Sequence, residues 1–297
     1  LFSIATDPRF RGRGIAKELI GAGERAASDS GRFIMRLEVA SDNLAAISLY
    51  QSLGYQTFGS YVDYYDDHGD ATRMQKRIHH YRVLEKHADI PWIRQTTAFT
   101  SGPAALMMAM RGISGDYTPS QHEELQIWRE ATTIFMTSGH GGCHPLGLAL
   151  AARQRGFSAE TWINLQQPLF VDGVRSANKK RVIGMVHEDF LQQARRQHIR
   201  LRYGDITQQH LIRALDRGAI PLVLISTWRL DGRKAPHWVT VSGYDNECLY
   251  VHDPDPEENS QTPLDCQYLP IAREDFARIS CFGRDRLRTA VLVSRDR

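Results

Sequence analysis

Four residues that lie far apart in the sequence carry the side chains of a nucleophilic catalytic site. Gln95 precedes Ser101 by six positions, and His237 and Asp253 follow much later. A hydroxyl or thiol attacks a carbonyl carbon once a histidine takes its proton, and a carboxylate orients that histidine. The amide of Gln95 can donate a hydrogen bond to the oxyanion that then forms. Residues of these types in this order indicate acyl transfer or amide hydrolysis.

The segment around Ser101 predicts the N-terminus of a helix. Gly102 and Pro103 follow the serine, and the next residues are rich in Ala, Leu and Met, which are good helix formers. Proline suits the first helical turn. A nucleophile here would face unpaired backbone N–H groups and the positive end of the helix dipole, which stabilise an anion. The segment also fits an ordinary N-cap serine on a buried helix.

Two later segments predict a β-hairpin that brings the histidine and the acid together. Residues 237–244 have the pattern of a buried strand, and 249–253 form a second short strand that ends in Asp-Pro. A turn over 245–248 would place His237 and Asp253 near the same end of the hairpin.

From about Ile90 to its end, the chain resembles the peptidase C39-like family, whose members have a papain-like fold. The resemblance implies a Cys–His–Asp triad with a glutamine in the oxyanion hole. Gln95, His237 and Asp253 match these positions, but Ser101 stands where the family has cysteine. We therefore expect this domain to bind a peptide without hydrolysing it.

A second candidate site lies near the start of the chain. Residues 1–6 have strand character, and a helix is predicted to begin at Ile15. The loop between them holds two glycines and three arginines: Arg9, Arg11, Gly12, Arg13 and Gly14. Glycines let backbone N–H groups approach a phosphate, and arginines add charge-assisted donors. The pattern favours an anion-binding loop over a simple tight turn.

Downstream, Asn43 is predicted to cap a helix over 44–53 that Gly54 closes. Together with the loop at 9–14, this stretch resembles the GNAT family of N-acetyltransferases. The resemblance implies acetyl-CoA as cofactor, with its pyrophosphate on the N–H groups of residues 11–14. It also implies that the strand edge at Ile4 and Thr6 pairs with the pantetheine arm. We place Asn43 among the cofactor-binding positions.

Tyr50 lies within the helix predicted over 44–53. It matches the tyrosine that in many GNAT members protonates the departing CoA thiolate, which is a general-acid role. An equally simple interpretation makes it a core aromatic residue on an amphipathic helix.

The GNAT resemblance covers only residues 1–78. The earlier strands and helices of a GNAT domain, which carry most of the acceptor site, are missing, and the chain does not begin with Met. We therefore expect a natural chain that starts upstream. The predicted organisation is a GNAT domain over 1–80, a linker over 81–89 and a C39-like domain over 90–297.

Composition excludes several classes of protein. The chain has 297 residues, 42% of them hydrophobic and 24% charged, which is ordinary for a globular protein. A net charge of +3 gives no reason to expect nucleic-acid binding. Apolar runs such as 219–225 are much shorter than the roughly 20 residues that a membrane helix needs. Four cysteines without paired spacing predict reduced thiols and a cytoplasmic location.

A glycine-rich loop with His140, Cys143 and His144 has three interpretations. The three side chains could bind zinc, although structural zinc sites have four ligands, and we expect no metal. Cys143 precedes a helix and could be a displaced nucleophile, but no glutamine has the right offset. The interpretation that we favour is a loop lining the cleft, with glycines that allow close backbone approach.

Helices followed by strands after residue 90 predict an α+β fold: a partial GNAT α/β sheet, then a papain-like domain. Three functions follow from the two sites. The protein is an acetyltransferase with a peptidase-like domain, a peptide or amide hydrolase with an accessory GNAT module, or a peptide-binding module built on an inactive cleft. The expected partner is a peptide or protein acceptor, or a small amine.

Overall fold

A computed structural model describes residues 4, 6–29, 34–65, 67–78, 86–133, 142–171, 174–226, 236–256 and 263–296. The chain divides into two compact units, Leu1–Arg82 and Val83–Arg297. The predicted linker over 81–89 stays a prediction, but Lys86–His87 already form a strand that pairs with the sheet of the second unit. None of the helices in the described ranges is long and apolar enough to cross a membrane.

The first unit is a small antiparallel sheet with two helices. Its elements are α1 (Ile15–Asp29), β1 (Ile34–Ala40), α2 (Leu44–Ser52), β2 (Gln56–Tyr61) and β3 (Ala71–Arg77). Strand β3 lies between β1 and β2. A cluster of buried residues that includes Ile20, Leu37 and Met74 packs the helices on the sheet.

The strand predicted over 1–6 lies partly outside the described residues. Ile4 and Thr6 are described, and neither belongs to a strand. The reason is that a strand exists only as part of a hydrogen-bonded ladder, and the described sheet consists of β1, β3 and β2 alone. The pairing of this edge with a pantetheine arm therefore stays a prediction.

The second unit is built on an eight-stranded sheet with helices packed against it, which confirms the α+β expectation. Its strands are β4 (Lys86–His87), β5 (Phe157–Ile163), β6 (Arg200–Tyr203), β7 (Ile220–Ser226), β8 (Pro236–Tyr244), β9 (Cys248–His252), β10 (Leu269–Ala272) and β11 (Thr289–Arg295). Its helices are α3 (Ser101–Ile113), α4 (Gln121–Ala131), α5 (Pro145–Gln154), α6 (Ala177–Arg196), α7 (Gln208–Asp216) and α8 (Arg273–Ile279).

The strand order is β10-β9-β8-β7-β11-β5-β6, with β4 paired to β8. The hairpin of β8 and β9 forms as predicted, with Val241 opposite Val251. Helix α3 is buried from Ser101 to Met110 and packs on β7 and β8. The hydroxyl of Thr240 on β8 donates to the Ala105 carbonyl at 3.1 Å, which fixes the helix against the strand.

Two elements differ from the sequence prediction. The apolar pattern of the sequence predicts a helix over about 186–198, whereas α6 begins nine residues earlier, at Ala177. Ser176 caps it by accepting from the Lys179 amide, so a local polar cap rather than the apolar pattern sets its start. Strand β11 was not predicted, yet it lies between β7 and β5 in the middle of the sheet.

Candidate functional site

The imidazole of His237 and the carboxylate of Asp253 lie together at one end of the β8–β9 hairpin. The distance from His237 Nε2 to Asp253 Oδ1 is 2.7 Å, and His237 is 7% exposed. Asp253 Oδ1 also accepts from the Asp255 amide at 2.9 Å, and the Trp92 indole donates to the Asp253 carbonyl at 2.7 Å. A carboxylate held in this way orients the ring, so Nδ1 is the nitrogen that would exchange a proton with a nucleophile.

Ser101 is the first residue of α3, as the sequence predicts, but it is not the N-cap. The N-cap is Thr100. The Ser101 side chain is instead 6% exposed, and its Oγ accepts from the Trp238 amide at 3.2 Å. Because Trp238 directly follows His237, this bond brings the hydroxyl to the start of β8 beside the histidine.

Gln95 lies beside the same strand end. The backbone N–H of Gln95 donates to the backbone carbonyl of Pro254 at 2.9 Å, and Pro254 directly follows Asp253. The side chain is 5% exposed, and its Oε1 has no hydrogen-bond partner among the described residues. The structure therefore brings all four predicted residues of this site to one end of the sheet.

Glu124 holds the segment that carries Gln95, and sequence reasoning missed it. This buried carboxylate on α4 accepts from the Thr96 amide and the Thr96 hydroxyl, each at 2.8 Å. Burying a charge is costly unless it is hydrogen-bonded, so the pair is a strong local restraint. A glutamate on an amphipathic helix gives no sequence signal for this role, since such residues usually face solvent.

Cys143 packs against the start of α3. A Cβ added at Gly102 would lie 3.0 Å from Cys143 Cβ and 3.1 Å from Trp238 Cδ1, so only glycine fits there without displacement. The Trp238 indole also donates to the Cys143 carbonyl at 3.3 Å. Burial raises the pKa of the Cys143 thiol, which opposes a nucleophilic role, while the cleft-lining interpretation of this loop stays a prediction.

His144, the N-cap of α5, forms a buried pair with His187 of α6. Its Nδ1 accepts from the Leu146 amide at 3.1 Å, so its Nε2 donates to His187 Nδ1 at 2.9 Å. His140 lies outside the described residues. Among those that are described, no group of three or more His, Cys, Asp and Glu side chains is arranged to hold a metal ion.

The histidine pair predicts acid sensitivity of the second unit. Burial lowers the pKa of both rings, and for His144 the neighbouring His187 adds to the effect. In the unfolded chain both imidazole rings bind a proton near pH 6.5, whereas in the folded unit they stay neutral at that pH. The free energy of unfolding should therefore be highest above that pH and should fall below it, by at most about 1.4 kcal/mol per pH unit for each ring.

Urea unfolding followed by tryptophan fluorescence measures this effect, because all five tryptophans lie at or after Trp92. His187→Gln keeps an acceptor for His144 and should make the loss of stability below pH 6.5 less steep, because it removes one histidine that the unfolded chain protonates. His122→Gln on the exposed face of α4 is the matched control. An equal slope in the wild type and His187→Gln would contradict the assignment.

The anion-binding loop predicted in the first unit has the backbone that a phosphate needs. Gly12 and Gly14 have φ values of 77° and 80°, a region that favours glycine. No atom lies within 4 Å of a Cβ built at either glycine, so the space beside the backbone is open. The Glu18 amide donates to the Gly14 carbonyl at 3.1 Å, so α1 starts directly after the loop.

The arginines of this loop differ in their surroundings. Arg9 forms an ion pair with Asp7 at 2.8 Å, and both side chains are exposed. Arg11 and Arg13 are exposed and form no ion pair with any residue in the described ranges. Arg11 and Arg13 are therefore better placed than Arg9 to meet an anion.

Tyr50 and Asn43 are both on α2. The Asn43 side chain accepts from the Ala46 amide at 3.1 Å, which confirms the predicted cap, while its role toward a cofactor stays a prediction. Tyr50 is buried in the core cluster of the first unit, edge-on to Tyr55 at a centroid distance of 5.5 Å. Burial raises the pKa of Tyr50, and Tyr65 adds to the shift. A phenol of ordinary pKa already keeps its proton at neutral pH, and this shift does not change that.

An exposed aromatic surface after β2 was not considered from the sequence. Tyr61 stacks on Tyr64 at 5.4 Å, and the Arg73 guanidinium lies 4.3 Å from the Tyr61 ring centre. Val62 between them is also exposed. Exposed apolar groups in one place often mark a contact surface, and the run of tyrosines was the available signal.

Each of the two units matches the model of a known protein family. The model of the Peptidase_C39 like family matches residues 90–294. The model of the acetyltransferase (GNAT) family matches residues 1–55. The two resemblances noted in the sequence are thereby confirmed.

Individual relatives match the first part of the chain. It is 40% identical over 76 residues to N-alpha-acetyltransferase RimI of Mycobacterium tuberculosis, which covers 25% of the chain and 46% of the relative. It is 38% identical over 77 residues to [Ribosomal protein bS18]-alanine N-acetyltransferase of Salmonella typhimurium, a match that covers 25% of the chain and 52% of the relative. The chain thus spans about half the length of each of these relatives.

Among solved structures, the ribosomal-protein-S18-alanine N-acetyltransferase from Escherichia coli matches with 32% identity and a TM-score of 0.25. That match covers 28% of this chain and 57% of the solved one.

Proposed function

Since the chain belongs to the Peptidase_C39 like family and also matches the GNAT family, we propose an acetyl-CoA-dependent N-acetyltransferase whose papain-like unit binds a peptide acceptor without hydrolysing it. One observation carries the transferase half of this proposal. The loop before α1 has two glycines at positive φ and open space beside both. A phosphate can approach such a backbone closely, at a helix N-terminus that favours negative charge.

These residues fit the cofactor. The N–H groups around Gly12 and Gly14 would hold the pyrophosphate, and Arg11 and Arg13 would add charge. Acetyl-CoA supplies the acetyl group as a thioester, which makes that group ready for transfer to an amine. Tyr50 is protonated at neutral pH, as a phenol of ordinary pKa already is, so it has a proton to donate to a thiolate leaving group.

The papain-like unit supports a peptide acceptor. Gln95, His237 and Asp253 lie at one end of the sheet, where the family resemblance leads us to expect a cleft for an extended peptide, while the nucleophile position holds Ser101. The relatives of the first unit are named as acetyltransferases of an α-amino group and of a ribosomal-protein alanine. A protein or peptide N-terminus is therefore our proposed acceptor. A cytoplasmic location agrees with four cysteines that are free thiols.

Acetyl transfer from labelled acetyl-CoA to a library of peptide N-termini tests this function in the full chain. Tyr50→Phe should lower kcat by about 10²-fold or more, because it removes a general acid without changing ring size. Tyr55→Phe is the matched control, since Tyr55 is a buried tyrosine of the same cluster. Equal kcat for the wild type and Tyr50→Phe would exclude the assigned role, and transfer to no peptide would exclude the acceptor class.

The hydrolase alternative has one observation in its favour, the 2.7 Å contact between His237 and Asp253. A hydrolase would cleave a peptide library in the absence of acetyl-CoA, and Ser101→Ala would abolish cleavage. The proposed function expects no cleavage by either chain.

A further inference from the structure

A large cleft with many charged residues in its walls lies in the second unit, away from the residues described above. Its volume is about 1170 Å³. The walls come from β5, β6, β11, α7 and the C-terminal end of α3, where Gly112 and Ile113 line it. Because a helix rises 1.5 Å per residue, these residues lie roughly 17 Å along α3 from Ser101. The cleft and the Ser101 site are therefore separate.

Cationic side chains dominate this cleft. Five arginines line it against three carboxylates, and two histidines add to them. Arg213 and Arg217 are exposed, lie one turn apart at the end of α7 and form no ion pair with any described residue. Two neighbouring guanidinium groups without an ion-pair partner repel one another, so an anionic partner would gain charge-assisted hydrogen bonds here.

Two more arginines lie on β6, which is the edge of the sheet. Arg200 and Arg202 both contact the single carboxylate of Glu160, at 3.3 Å and 2.9 Å. Residues two apart on a strand share a face, so both point to the cleft side. In the described part of the chain, β6 pairs only with β5, which leaves its other backbone edge available.

We propose that this cleft binds an acidic, extended polypeptide segment of a partner protein, which adds as a strand to the edge of β6. Backbone hydrogen bonds to β6 would hold the segment, as in other cases of strand addition. Acidic side chains at alternate positions would face Arg200 and Arg202, and the remaining charge would meet Arg213 and Arg217.

A single-stranded nucleic acid fits this cleft less well. Bases need aromatic faces on which to stack. Trp162 is the aromatic residue that lines the cleft, and its ring already stacks on His210 at 4.4 Å, with the Arg202 guanidinium over it at 5.7 Å. The arginines are also spread over a strand and a helix instead of converging on one point, which does not suit a single phosphate.

Fluorescence anisotropy with the full chain tests the proposal. The probe is a fluorescein-labelled peptide of alternating Glu and Thr, and the comparison peptide alternates Glu and Pro, which keeps the charge but removes backbone donors. The variant Arg213→Glu with Arg217→Glu should weaken binding of the Glu-Thr peptide about tenfold. The control is Lys180→Glu with Arg181→Glu on the exposed start of α6. It carries the same change in charge and should leave the affinity for the Glu-Thr peptide unchanged.

The expected result is binding that weakens with salt, is about tenfold weaker in the Arg213→Glu, Arg217→Glu variant and is several-fold weaker for the Glu-Pro peptide. Equal affinity for the two peptides would overturn strand addition. Tighter binding of an oligouridine than of the Glu-Thr peptide would overturn the choice of partner. No binding, or equal loss in both charge variants, would overturn the site. Arg213→Gln with Arg217→Gln removes the two charges without reversing them. If the glutamate variant does not fold, the same binding measurement on this glutamine variant tests the site.

Discussion

Replacing Ser101 by cysteine should create a thiol that iodoacetamide alkylates at a nearly constant rate from pH 8 down to below pH 7. A free cysteine, with a pKa of about 8.5, loses reactivity over that range. The helix N-terminus at Ser101 and the imidazole of His237 stabilise a thiolate, as in papain-like enzymes, where the pKa falls to roughly 3.5–7.5.

The serine at position 101 cannot form this ion pair, because a hydroxyl keeps its proton at neutral pH. Its Oγ accepts from the Trp238 amide, which points an N–H donor at an oxygen that stays uncharged. Loss of a triad nucleophile costs on the order of 10⁶ in kcat in a well-studied hydrolase. We therefore expect no measurable peptidase activity from the wild-type chain.

Peptide mass mapping assigns the label, since the wild type already has four cysteines. Adding His237→Ala to Ser101→Cys should return the pH profile to that of a free thiol. Asp253→Asn in the Ser101→Cys background should move the pH profile of the alkylation rate only part of the way toward that of a free thiol. The reason is that Asp253 acts on residue 101 through the orientation of the His237 ring. A profile that is the same with and without His237 would mean that the two residues are not a catalytic pair.

Gly12→Val should strongly weaken the binding of CoA, which calorimetry measures. Valine at a φ of 77° costs about 1–2 kcal/mol of backbone strain, and its side chain would fill the open space beside the loop. Because no protein atom lies within 4 Å of a Cβ at this position, the substitution meets no collision inside the fold. The loss should therefore fall on phosphate binding, with an affinity at least about 100-fold weaker.

Gly23→Ala is the matched control, because Gly23 lies in α1 and a Cβ there also has open space. It should leave the affinity for CoA unchanged and favour the helix slightly. Equal affinity in the wild type and Gly12→Val would show that this loop does not hold the phosphates.

Local patterns determined much of the chain. The start of α3 at Ser101, the cap at Asn43 and the hairpin of β8 and β9 were all predicted, because each depends on residues adjacent in sequence. The order of the four residues of the Ser101 site came from the sequence as well, since their types and the family resemblance fix their roles.

Only the tertiary structure decided how distant segments meet. The Ser101 hydroxyl accepts from Trp238, and the Gln95 backbone donates to Pro254, although more than 100 residues separate each pair. No local pattern encodes which strands become neighbours, so the place of β11 in the sheet could not be predicted.

The buried carboxylate of Glu124 and the arginines of the second cleft are further examples. On the sequence, each is a charged residue on an amphipathic helix or a short strand, a pattern typical of ordinary solvent-facing positions. Glu124 acquires its role because α4 packs where Thr96 passes. The arginines on β6 and α7 line one cleft because the sheet ends at β6 and α7 lies against it. The sequence thus determined which chemical groups are present and their local conformation, while packing between distant elements determined which groups act together.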